Sequence, residues 1–193
     1  QVYDGGIRVP LLMRWPDGLT GGGKRVDEMV HFADWFPTLC ELCHAPIPSH
    51  LKLDGVSVVP LLRGEKGKTI TRRCWQWNRY VPDVRYNAAI RDGDWKLVRP
   101  MVRGVSNAPC CNPWLTVSMY APEYFERFGL LKEPMPERDW APPPTPELYH
   151  ITQDPLETRN LAKDYPEIVQ RLSLELDRWF EEVEADRRTI RDS

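Results

Sequence analysis

Asn87-Ala88-Ala89-Ile90-Arg91-Asp92-Gly93-Asp94-Trp95-Lys96-Leu97-Val98 is the stretch that decides the fold. Two short alternating runs flank Asp92-Gly93, a dipeptide that favours a tight primed turn, so the stretch reads as a β-hairpin. With Asp92-Gly93 as the turn, Arg91 faces Asp94, Ile90 faces Trp95 and Ala88 faces Leu97, and the apolar side chains of both strands share one face. That face needs a cover. Near the end of the chain Ile168, Leu172, Leu176, Trp179, Phe180 and Val183 recur at helical spacing as one apolar stripe, which predicts a C-terminal helix over the sheet. Asp164 is the expected cap of that helix, with Pro166 in its first turn.

Working outward, Leu148-Tyr149-His150-Ile151 reads as one more strand, broken by Asp154-Pro155 before a turn containing Glu157, Thr158 and Asn160. Arg73 to Tyr80 reads as a strand and turn. Between them, ten of the 19 prolines fall in Pro100–Pro146, so regular sheet is not expected there. One short helix over Pro122–Leu131, with Tyr124, Phe125 and Phe128 on one side, is the exception. The excursion also carries Trp114, Tyr120 and Trp140, apolar groups that a lid over a cleft or a subunit contact would cover.

The N-terminal side has another texture. Val9-Pro10-Leu11-Leu12-Met13 is apolar without alternation, which suits a strand buried on both faces of a largely parallel sheet. Met29–Phe32 reads as a short strand. Asp34 then caps a helix whose Phe36, Leu39, Leu42 and Cys43 share a face, and core packing is the expected role of Cys40 and Cys43. Gly18 to Arg25 nearly spells a phosphate-binding loop, but Arg25 stands where a Ser or Thr should hold magnesium and no helical pattern begins there. The short charged stretch Glu65–Lys68 marks a domain boundary.

Composition narrows the function. The 193 residues are 41% hydrophobic, enough for a packed core, and carry a formal net charge of −2, which offers no positive field for nucleic acid or an anionic membrane surface. No run of about 18 apolar residues exists. The five cysteines are an odd number and imply no disulfide framework. His31 and His150 read as strand histidines, since no nucleophile with an orienting third group is legible beside them.

Five segments in order resemble the C-terminal third of the sulfatases, of the alkaline-phosphatase-like superfamily. They are Tyr3-Asp4-Gly5-Gly6-Ile7-Arg8-Val9-Pro10, Asp34 with Pro37-Thr38-Leu39, Leu53–Ser57 with Pro60-Leu61-Leu62, Ala89–Val98, and Glu147-Leu148-Tyr149 with Asp154-Pro155, Glu157 and Asn160-Leu161-Ala162. The resemblance implies that the parent is an α/β protein and that this chain is α+β. Residues 1–64 would be the C-terminal end of the large α/β catalytic domain. Residues 65–193 would be a small antiparallel-sheet subdomain packed on a C-terminal helix, with a Pro-rich insertion at 100–146.

Sulfatases use a formylglycine, made from a Cys or Ser followed by Pro/Ala and Arg, and a calcium held by Asp and Asn/His side chains. No cysteine here is followed at that spacing by both Pro and Arg, and no Asp cluster resembles the metal site. The resemblance thus implies a portion lying after the catalytic machinery. No catalytic or metal residue and no cofactor is expected in this chain, with calcium and formylglycine expected in a missing N-terminal catalytic portion, its partner. The complete enzyme would act on a sulfated small molecule or carbohydrate, with neither nucleic acid nor membrane as partner.

Candidate substrate contacts are Trp75, Gln76, Trp77, Asn78, Arg79 and Tyr80. Their aromatic faces suit stacking on a sugar or aryl ring, and their amide and guanidinium groups suit donation to hydroxyl or sulfate oxygens. Equally, Trp75 and Trp77 can simply pack on one strand face. Two other functions stay open: part of a phosphodiester or phosphonate-ester hydrolase of the same superfamily, and a non-catalytic binding or assembly module.

Overall fold

A computed structural model describes residues 1–16, 18–19, 23–65, 69–78, 82–102, 121, 123, 127 and 141–189. Of the helix expected over Pro122–Leu131 only Glu123 and Arg127 are described, both helical and exposed, while the cysteine pair Cys110-Cys111, Trp114, Tyr120 and Trp140 lie outside the described residues. The chain forms two compact units, Gln1–Arg8 with Cys74–Ser193, and Val9–Arg73. The first eight residues therefore group with the C-terminal part of the chain.

The strands β1 (Arg72–Gln76, in the first unit from Cys74 onward), β2 (Ala88–Asp92), β3 (Trp95–Arg99) and β4 (Glu147–His150) form a four-stranded sheet in sequence order. The β2–β3 and β3–β4 pairs are antiparallel. The hairpin register differs from the expected one. Ile90 faces Leu97 and Asp92 faces Trp95, so the turn is Gly93-Asp94, with Gly93 at φ +59° in its first central position. Glycine takes that conformation without a Cβ clash, and a primed turn accepts it there as readily as after Asp. Because side chains alternate with period two, a shift of two residues leaves the same residues on the same face.

That face carries Ala88, Ile90, Leu97 and Leu148 and packs on Leu172 and Leu176 of the helix α4 (Pro166–Thr189), with Ile168 and Trp179 beside them. Val183, expected in the stripe, is exposed. Two ion pairs hold helix to sheet: Arg99 grips Asp177 through both nitrogens at 2.5 and 3.0 Å, and Arg171 reaches Asp92 at 2.8 Å. The helix start also differs from expectation. The carbonyl of Tyr165 accepts from the amides of Ile168 and Val169, which makes Tyr165 the residue before Pro166 at the first helical position, while the Asp164 carboxylate lies toward Arg159. Asn160 and Leu161 cover the outer edge of β4: Leu148 N donates to Asn160 Oδ1 and Leu161 N to Leu148 O.

The opposite face of the sheet is also buried. Ala89, Val98, Tyr149 and Ile151 enclose Val2, with Tyr3 and Trp75 packed alongside. The cover is the N-terminal hook, Gln1 through the short helix α1 (Asp4–Ile7), where Tyr3 O accepts from the amides of Gly6 and Ile7. Only glycine fits at position 6, because an added Cβ would lie 2.2 Å from Gln1 O.

The second unit corrects three expectations. Val9–Met13 is not a strand, and Leu12 is 93% exposed. A continuous apolar run becomes a buried strand only where neighbours satisfy its backbone on both sides, and no strand flanks it among the described residues. Met29–Phe32 is not a strand either: Phe32–Asp34 is a 3₁₀ turn that opens the helix α2 (Trp35–Leu42). Finally, α2 buries Pro37 and Thr38 and exposes Phe36, Leu39 and Cys43, the face expected inside. Thr38 sets this rotation, since its hydroxyl donates to Asp34 O at 2.5 Å and accepts from Val58 N at 3.0 Å. Packed with it are Val58, Val59 and Leu61 at the helix α3 (Val59–Arg63), which ends on Gly64 at φ +79°.

Candidate functional site

Arg79 and Tyr80 lie outside the described residues, and the other four members of the expected substrate-contact stretch are held differently from one another. Trp75, on β1, packs with the cluster under the N-terminal hook. β1 ends at Gln76, and Trp77 beyond it is 50% exposed. The Trp77 backbone is pinned on both sides: its amide donates to Asn87 O at 3.1 Å and its carbonyl accepts from Asn87 Nδ2 at 2.6 Å. Gln76 Nε2 and Asn78 Nδ2 both donate to Asp83 O, at 3.4 and 3.1 Å. Trp77 is thus a half-open indole on a fixed backbone.

A second constellation was not legible as a site. Lys96 is fully buried on β3, and its Nζ lies 2.6 Å from Asp4 Oδ1 and 2.7 Å from Glu157 Oε1. Glu157 Oε2 accepts from the Asp4 amide at 2.6 Å, which closes a ring of contacts between hook and sheet. Alongside, the hydroxyls of Tyr3 and Tyr149 both donate to Glu147 Oε2 at 2.6 and 2.7 Å. Burial first, and then the hydrogen bond to the Glu147 carboxylate, push both phenols well above the ordinary tyrosine range, so they remain donors. Every member belongs to one of the segments that carried the resemblance. The signal available in the sequence was Lys96 itself, a charge in an apolar strand that needs a buried partner.

In the second unit Asp34 is the corresponding centre. Its carboxylate accepts from the amides of His31 at 2.8 Å and Val56 at 2.9 Å and pairs with buried Arg73, whose other nitrogen reaches Asp54 O at 2.6 Å. Asp34 thus serves the 3₁₀ turn rather than capping α2 with its side chain, as expected from the sequence. Gly55 lies against the same turn, where a Cβ would meet Ala33 O at 2.0 Å.

Of the two expected strand histidines, His150 is the last residue of β4, whereas His31 caps the 3₁₀ turn, its Nδ1 accepting from Ala33 N at 3.3 Å. Burial, and then the positive charge of Arg73, lower the His31 pKa. The imidazole is therefore favoured neutral in the fold, and its contribution to stability is fully present above about pH 6.5 and lost as pH falls through the lower folded value. The denaturant midpoint of the wild type should fall between about pH 7.5 and pH 5 more steeply than that of His31→Asn, which keeps a capping acceptor that cannot titrate. Equal slopes for the two proteins would contradict this.

Among the described residues no group of three or more His, Cys, Asp or Glu is placed to hold a metal ion. Cys40 and Cys43 are free thiols, and Cys43 is exposed, contrary to the core role expected of it.

A four-stranded antiparallel sheet backed by a C-terminal helix is the architecture that the resemblance implied for a sulfatase's C-terminal subdomain. Residues 1–104 match the family described as N-sulphoglucosamine sulphohydrolase, C-terminal, and the chain belongs to this sulfatase C-terminal family. It is 35% identical to human steryl-sulfatase over 95 residues, covering 49% of this chain and 16% of that protein. Against the ulvan-active sulfatase of Formosa agariphila it is 27% identical over 188 residues, 93% of this chain and 34% of that protein. Human arylsulfatase A is 28% identical over 179 residues, 88% of this chain and 30% of that protein. The chain therefore spans between about one-sixth and one-third of the length of these curated relatives. A solved structure of a 2-O glycosaminoglycan sulfatase superposes with a TM-score of 0.47 at 24% identity, over 81% of this chain and 26% of that one.

Proposed function

We propose that this chain is the C-terminal part of an enzyme that hydrolyses sulfate esters of an aryl or carbohydrate alcohol, that it lines the substrate cleft, and that the nucleophile and metal site lie in polypeptide outside it. The observation that carries this reading is the family match over residues 1–104 together with sulfatase relatives that run well beyond this chain. The exposed apolar run at Val9–Leu12 supports it, as does the exposed face of α2, because apolar surface of this kind is normally covered. Within the reading, residues 1–64 end the large catalytic domain and residues 65–193 form its smaller subdomain.

The test is turnover of an aryl sulfate, beside the matching aryl phosphonate monoester and phosphodiester, by the complete protein and by residues 1–193 alone. Sulfate hydrolysis by the complete protein and none by residues 1–193 is the expected result. Preference for the phosphorus esters would assign the other hydrolase class, and absence of all three activities would leave a binding or assembly role.

Trp77 is the side chain in the expected contact stretch best placed to stack on a substrate ring. Trp77→Ala in the complete enzyme should raise KM for a sulfated saccharide by roughly three- to tenfold, the worth of one aromatic contact, with little change in kcat. An unchanged KM would remove Trp77 from the cleft.

A further inference from the structure

Three non-glycine residues among those described adopt a positive φ, namely His44, Asn87 and Glu157. That conformation is unfavourable for residues with a Cβ, and such positions persist only where the surroundings impose them, often where function needs a fixed geometry. Two of the three serve one element. Asn87, at φ +44°, accepts the Val2 amide on its Oδ1 at 3.2 Å. Glu157, at φ +54°, accepts the Asp4 amide on its Oε2 at 2.6 Å.

Between those two amides the hook is held by its own backbone bonds. Tyr3 O closes it by accepting from Gly6 N and Ile7 N, and Gly6 allows the turn to press against Gln1. Lys96 then holds the Asp4 side chain and Glu157 together, and Glu147 holds Tyr3. Apolar packing of Val2 alone would leave such a segment free to slide on the sheet. Paired charges with fixed donors and acceptors specify one seat.

We infer that Asn87, Glu157 and Lys96 are positioning residues that seat the hook Gln1–Ile7 in a single geometry on the sheet, and so fix where the polypeptide preceding Gln1 leaves it. The first half stands on the contacts alone. The second rests on the proposed function, in which the preceding polypeptide carries the chemistry. The hook then ties the cleft-lining sheet to the catalytic portion at a defined distance, and loosening it lowers the fraction of enzyme in the productive arrangement.

The test uses the complete protein and the substitutions Asn87→Gly and Glu157→Gly. Glycine adopts the same positive φ freely, so each variant removes the side-chain acceptor while relieving backbone strain and should stay folded. Lys96→Met is the third variant, read only where its unfolding transition remains cooperative. Amide hydrogen exchange at Val2–Ile7 should quicken by at least about tenfold in the glycine variants, with the β2 and β3 amides unchanged. Unchanged exchange in the hook would overturn the seat.

On an aryl sulfate too small to span the cleft, the same variants should lose kcat several-fold at constant KM, whereas Ser173→Ala, on the distant helix α4, should lose neither. Faster exchange in the hook with wild-type kcat would overturn the positioning role and leave a structural one. If the wild type turns over no sulfate ester, the proposed function fails, and the exchange result still decides the seat.

Discussion

Replacing Lys96 by Met should cost about 3–5 kcal/mol of stability, the usual consequence of removing one partner from a buried ion pair. The ammonium is fully buried between two carboxylates, Asp4 and Glu157, whose side chains are only 9% and 4% exposed. Asp4 Oδ2 already has no hydrogen bond, and its other cation, Arg8, stands 4.0 Å away. The methionine fills the same volume, so the loss reads charge and not a cavity. Adding Asp4→Asn and Glu157→Gln should restore most of the lost stability, because a buried ionic triad replaced as a whole is often close to neutral. Equilibrium denaturation of the single and triple variants measures both numbers. A single variant within about 1 kcal/mol of wild type would show that the triad is solvated in solution.

Asp34→Ala should be of similar size, about 3–5 kcal/mol, and should act on the other unit. The carboxylate answers three donors at once: the amides of His31 and Val56, and the guanidinium of Arg73, itself buried. Its removal strands a buried cation and two amides together. Asp34→Asn keeps an acceptor of the same shape and should recover the amide contacts but not the charge pairing, so its loss should fall between. Exchange protection lost across Phe32–Leu42 and Val56–Arg63, with β2 and β3 amides still protected, is the expected pattern. Loss of protection throughout the chain would mean that the two units unfold as one.

The hairpin, the last helix and the two-layer plan they form were legible because each rests on a short-range rule. Alternation with period two put Ile90 and Leu97 on one face even though the turn was placed one residue before Gly93-Asp94, which shifts the pairing by two, and helical spacing picked out Leu172 and Leu176. The resemblance rested on the same local pieces. What could not be read was what each piece does for the others. Tyr3, Asp4, Lys96, Glu147 and Glu157 are spread over 155 positions, and no local pattern in the chain says that Glu157 meets a lysine in β3 or that Glu147 meets Tyr3. Only the closed sheet brings them to one face.

The same division explains the misreadings on the N-terminal side. Hydrophobicity marked Val9–Met13, Phe36 and Leu39 for burial, but whether a neighbour covers them is a property of the assembled domain, and among the described residues none does. The helix α2 was placed within a residue or so, while its rotation was decided by two polar atoms, Thr38 Oγ1 and the Asp34 carboxylate, whose partners Val58 and Arg73 lie some 20 to 39 residues onward. By itself, then, the sequence determined the elements, the buried face of the hairpin and the family. Tertiary structure alone decided which charges are paired, which apolar faces are left open and where the N-terminal hook sits, because these depend on contacts between distant residues that exist only once the chain has closed on itself.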